Sequence, residues 1–150
     1  DHLIAMVAVG LWGAFLGDRA LWLLPIVFPS IIAVGAAVGI LGVTLPLVEF
    51  IIALSGVVLG ALIVLKFRAP LAIAMVLVGV FALFHGYAHG LEMPAEMSVL
   101  TYGAGFVVGT GLLHMIGIGL GFLTMLPRGE LMVRGCGGAI SLVGLTYLVG

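Results

Sequence analysis

The stretch "PLAIAMVLVGVFALFHGYAHGLE", residues 70–92, decides the fold. From Leu71 to Leu91 it contains no Asp, Glu, Lys or Arg. Its length matches the roughly 20 apolar residues that a helix needs to cross the ~30 Å hydrocarbon core of a bilayer. It therefore reads as a membrane-spanning helix. Yet His85 and His89 sit near its end and Glu92 follows, three ionisable groups that are expensive to keep in lipid.

Working outward, the rest of the chain has the same character. Of its 150 residues, 64% are hydrophobic and 7% are charged, where a soluble domain is usually about a quarter charged. The mean hydropathy is +1.45. A formal net charge of −1 leaves no basic patch, so no nucleic-acid partner is expected. The single cysteine, Cys136, excludes a disulfide within these residues; among Gly135, Gly137 and Gly138 it reads as a small packing residue. No low-complexity tract, charged tail or linker interrupts the sequence, and a single transmembrane domain over residues 1–150 is expected.

The apolar segments fall at about 1–16, 21–43, 46–65, 70–91, 98–125 and 131–149, each near the length of a membrane span. They are separated by "GDRA", "TLP", "KFRAP", "EMPAEM" and "PRGE". Strand-like alternation is absent and the apolar runs are too long for a barrel, so the expected fold is an all-α, six-helix transmembrane bundle. Thr44 and Pro46 look like a cap and an early-turn proline of the third helix. The first segment is about four residues short of a full span and begins at Asp1. The expectation is a native helix that starts upstream, behind a removed signal peptide. The first residues here lack the basic region and cleavage site of such a peptide.

All the basic residues, Arg19, Lys66, Arg68, Arg128 and Arg134, belong to loops one, three and five, whereas loop four holds Glu92 and Glu96. The positive-inside rule makes the basic side cytoplasmic and places both termini outside. Glycines recur at four-residue spacing in Gly35/Gly39, Gly56/Gly60, Gly86/Gly90, Gly105/Gly109 and Gly117/Gly121. Such small faces let helix backbones approach closely in lipid. "GIGLG" at 117–121 has no preceding strand and the wrong spacing for a dinucleotide fingerprint.

Counting 1.5 Å per residue from Asp18, Lys66, Arg68 and Arg128 puts His2, Glu49, His85 and His114 roughly 21–25 Å above the inner boundary. A polar layer in the outer third of the membrane is the result. His85, His89 and Glu92 share one helical stripe, with Gly86, Ala88 and Gly90 read as leaving room around it. Imidazole and carboxylate together suit divalent first-row metals such as nickel, cobalt or zinc. Each residue also has a plainer role open to it: Glu92 as an interfacial acid, Glu49 and Asp1 as first-turn acids. His2 could be a hydrogen-bonded partner of Asp1, and His114 a packing histidine bonded to Thr110. Pro25 and Pro29 kink the second helix; Phe28 between them reads as packed or lipid-facing, with a plug at the inner exit as the alternative.

"DHLIAMVAVGLW" at the start, "LPLVEF" at 45–50, "FHGYAHGLE" at 84–92 and "LLHMIGIGLG" at 112–121 resemble the HupE/UreJ family of nickel/cobalt permeases, and the likeness spans essentially the whole chain. The resemblance implies a small bacterial inner-membrane protein, linked to hydrogenase or urease maturation, that takes up Ni²⁺ or Co²⁺. By motif it assigns the metal-handling positions to Asp1, His2, Glu49, His85, His89 and Glu92, and His114 joins by its place in its helix. Of the family's first-helix motif, a histidine, five residues and Asp-His, only Asp1 and His2 fall in this sequence. No permanently bound cofactor and no enzymatic activity are expected: Ser55 and Ser141 have no histidine nearby and no metalloprotease motif occurs. The expected partners are the metal ion and the lipid bilayer, with a homo-oligomer or a larger membrane complex open. An accessory subunit of such a complex and a b-type haem subunit are the competing functions; acids beside the histidines favour a cation over a porphyrin.

Overall fold

The computed structural model describes residues 2–17 and 19–150. Among these, the chain forms α1 (His2–Leu16), α2 (Ala20–Ile40), α3 (Val48–Val64), α4 (Leu71–Leu91), α5 (Val99–Gly121) and α6 (Gly129–Val149), with a 3-10 turn, Phe122–Met125, continuing α5. No strand occurs among the described residues. The expected spans agree to within a few residues. Local chemistry sets the limits: α1 and α2 stop at Gly17 and Gly42, whose φ values of +75° and +71° are left-handed. Pro70 precedes α4, and the Ser98 hydroxyl caps α5 by accepting the Thr101 N–H at 3.1 Å. Thr44 does not cap α3, which begins later, after Leu47 in the left-handed region.

By length and composition, α2, α4, α5 with its 3-10 extension, and α6 can each cross a membrane, at 21, 21, 27 and 21 residues. The apolar helices α1 and α3 are shorter, at 15 and 17 residues. Large hydrophobic side chains such as Trp22, Leu100 and Met115 lie exposed around the bundle, as expected where lipid rather than water is the surrounding solvent. The architecture is that of a multi-pass helical membrane protein.

Three pairs of helices dominate the packing: α2 on α4, α3 on α6 and α1 on α5. The α2–α4 pair is held backbone to backbone. A Cβ on Gly35 would overlap the Leu83 carbonyl oxygen, and one on Gly86 would overlap the Ile32 carbonyl oxygen. Gly39 and Gly90 repeat the arrangement one turn on, against Tyr87 and Ala36. Gly86 and Gly90 therefore do not leave room around the histidine stripe, as their sequence positions suggested; they face α2. Gly60 meets Gly137 and Ser141 of α6, and Gly117 and Gly121 meet Val7, Leu11 and Ala14 of α1. A Cβ on Gly105 or Gly109 would meet nothing within 4 Å among the described residues, so that pair holds no helix against α5 there.

The two ends of the bundle differ in chemistry. At one end Lys66 Nζ pairs with Glu130 Oε2 at 2.8 Å, and Arg134 Nε donates to the Val64 carbonyl at 2.9 Å. There too Trp12 Nε1 donates to the Phe67 carbonyl at 3.2 Å, and the Arg68 guanidinium lies 5.4 Å from the Phe15 ring centre. At the other end the Tyr87 hydroxyl accepts the Leu45 N–H, and the Tyr102 hydroxyl donates to the His89 carbonyl, both at 3.2 Å.

Two measurements check this packing. Gly86→Leu is expected to destabilise the protein by about 3 kcal/mol in SDS titration from mixed micelles, because backbone cannot yield to a new side chain. Gly109→Ala should be neutral or stabilising by up to ~1 kcal/mol, since alanine is the better helix former. In single-tryptophan variants, brominated lipid should quench the exposed Trp22 and spare Trp12, which is 0% exposed.

Candidate metal-ion site

Three imidazoles from two helices meet near the end of the bundle opposite Lys66 and Arg68. The ring centre of His2, at the start of α1, stands 5.0 Å from that of His85 and 4.6 Å from that of His89, at interplanar angles of 78° and 62°. Both partners lie on α4, four residues apart, so one helical stripe presents them to α1. The carbonyl oxygen of Phe81 lies 2.8 Å from His85 Nδ1. A carbonyl can only accept, so Nδ1 carries the proton and Nε2 keeps its lone pair. The Nε2 atoms of His85 and His89 are buried and have no hydrogen-bond partner among the described residues.

The carboxylates stand outside this cluster. Glu92 Oε2 is 4.0 Å from His89 Nδ1, too far for a hydrogen bond but near enough for charge attraction, and its side chain is 66% exposed. Glu49 lies in the first turn of α3, exposed. The charges of Glu92 and Glu49 both act on His2. Asp1 lies outside the described residues. Among the described residues, no three His, Cys, Asp or Glu side chains are arranged to hold one metal ion together. The three rings instead pack edge against face.

Beside His2 and His89 opens a pocket of about 440 Å³, lined further by Met6, Thr101, Tyr102, Phe106 and Thr110. Phe106 closes one side, its ring centre 4.5 Å from that of His89.

His114 is not part of the layer in which residue counting placed it. The count from Arg128 crosses a 3-10 turn, Phe122–Met125, and a short loop, where a rise of 1.5 Å per residue does not hold. The His114 backbone abuts Gly10 of α1, eight residues beyond His2 and thus roughly 12 Å deeper. Nor is it bonded to Thr110: that hydroxyl points to Met6 Sδ at 3.6 Å, and both His114 nitrogens are without a hydrogen-bond partner among the described residues. Phe28 touches both levels. It is 0% exposed, with its ring centre 5.8 Å from that of His85 and 5.2 Å from that of His114. It is neither lipid-facing nor at an exit, and only its spacing on the buried stripe Leu24, Phe28, Ile32 could have signalled this.

Comparisons with known proteins agree with the motifs. The HupE / UreJ protein family matches residues 1–147. The chain is 43% identical, over all of its 150 residues, to "Protein HupE" of Rhizobium leguminosarum bv. viciae, of which it covers 78%. No solved structure is similar. With that match from end to end and that identity over its full length, the chain belongs to the HupE/UreJ family.

Proposed function

We propose that this protein carries Ni²⁺ or Co²⁺ across the bacterial inner membrane, as a transporter and not an enzyme, along a path that begins at His2, His85 and His89. In this scheme all six helices cross the bilayer, and the end holding Lys66, Arg68 and Arg134 faces the cytoplasm. One observation carries the proposal: two buried Nε2 atoms, on His85 and His89, have no hydrogen-bond partner among the described residues and border a third imidazole. Leaving a polar atom unpaired in an apolar interior costs about 1–3 kcal/mol. A cation that accepts nitrogen lone pairs gives those atoms their partner, and first-row divalent metals prefer imidazole. The choice of nickel or cobalt rests on the family.

The residues divide the work by position. Glu92 and Glu49, exposed at the histidine end, attract the hydrated cation. His89 stands beside Glu92 and next to the pocket, so it exchanges the first water for nitrogen. His85 Nε2 follows, its tautomer held by the Phe81 carbonyl. Because the rings do not converge on one point, the ion is held by few ligands at a time. Loose binding suits a carrier, which must release what it takes up.

Nickel uptake by cells expressing the protein checks this. His89→Ala and Glu92→Gln should each lower uptake by about tenfold or more at unchanged membrane levels. Uptake at the wild-type rate in both would overturn the proposal.

A further inference from the structure

We propose that His114 is a second cation site, distinct from the histidine cluster and partitioned from it by the Phe28 ring, so that the ion crosses the bundle in two steps. This rests on the transport function proposed above and adds to it where the ion goes next.

Burial and hydrogen bonding single out His114. Its side chain is 1% exposed and neither ring nitrogen has a partner among the described residues. A neutral imidazole always carries one donor and one acceptor, so both are left unmet in an apolar interior. Leucine or methionine would fill the same space without that penalty. The buried hydroxyls are both partnered: Ser55 donates to the Ile52 carbonyl at 2.6 Å and Thr110 to Met6 Sδ at 3.6 Å. The exception at His114 calls for a ligand.

A pocket approaches it from the cluster. The pocket beside His2 and His89 is lined along α5 by Phe106, Gly109, Thr110 and Leu113, the last of these preceding His114 in the chain. Met6 Sδ and the Thr110 hydroxyl, 3.6 Å apart, lie at that depth and offer a soft and a hard donor on the way. On the α2 side the Phe28 ring packs against both His85 and His114. Pro25 and Pro29 flank Phe28 and carry no N–H, so the carbonyls of Leu21 and Pro25 lack their helical donors. Bending α2 at this turn therefore breaks fewer hydrogen bonds than elsewhere in the helix, which lets the partition move. A single imidazole aided by a thioether and a hydroxyl binds a divalent cation weakly, as a release site requires.

The test uses purified protein with Ni²⁺ as the probe, reading equilibrium binding in detergent and accumulation in lipid vesicles. For His114→Gln we expect Ni²⁺ still to bind at the cluster with unchanged affinity, while accumulation falls by about tenfold or more. Phe28→Leu should keep cluster binding and accumulate Ni²⁺ faster than the wild type, because the partition is smaller. His89→Ala, in contrast, should lose binding itself. Accumulation at the wild-type rate by His114→Gln overturns the second site, and so does loss of cluster binding in a folded His114→Gln, which would make the two one site. Should His114→Gln fail to fold, Phe28→Leu decides alone, and an unchanged rate there overturns the partition. A wild-type protein that neither binds nor accumulates Ni²⁺ removes the transport proposal itself, and the second site with it.

Discussion

Backbone contact between α2 and α4 sets where the histidines of α4 stand. Gly35, Gly39, Gly86 and Gly90 let the two helices approach so closely that a Cβ on any of them would overlap the facing backbone. Each histidine of α4 immediately precedes one of those glycines. A step of one residue turns about 100° around a helix, so pinning Gly86 and Gly90 on α2 swings His85 and His89 toward α1. The same contact shapes α2. Its buried stripe runs Leu24, Phe28, Ile32, Gly35, Gly39, bulky at one end and bare at the other. The pair is a wedge, and Phe28 occupies the wide part.

Against this packed frame the imidazoles are exceptional. Hydroxyls within the helices donate to nearby carbonyls: Thr124 to Gly121 at 2.8 Å and Thr146 to Val143 at 2.7 Å. These bonds add little to stability and leave nothing unmet. His85, His89 and His114 instead keep ring nitrogens without a protein partner among the described residues. Evenly distributed imperfection would not select one residue type on two helices.

The helices were legible because lipid imposes a length and a composition, and both are local properties of the chain. The glycine faces were legible for a similar reason, although periodicity could not say which pair packs no helix: Gly105 and Gly109 have the same spacing as Gly35 and Gly39 but open space, among the described residues, where a Cβ would stand. Likewise, the shared stripe of His85, His89 and Glu92 follows from helical spacing alone, and the structure adds that its acid points outward. The depth of His114 was beyond residue counting, which assumes a uniform rise through the 3-10 turn and loop after Gly121. Phe28 carries no polar atom, so only three-dimensional packing shows it against two imidazoles.

The pairing of α1 with α5 has a consequence in time. Met6 and Thr110, which meet in the finished bundle, are 104 residues apart in the chain. At a synthesis rate of about 5–20 residues per second, α1 waits roughly 5–20 s before α5 exists to receive it. During that interval α1 is without the α5 neighbours that it packs against in the finished bundle. Its partners on α4 are made earlier than α5, so the three imidazoles can meet before the wall that closes their pocket exists.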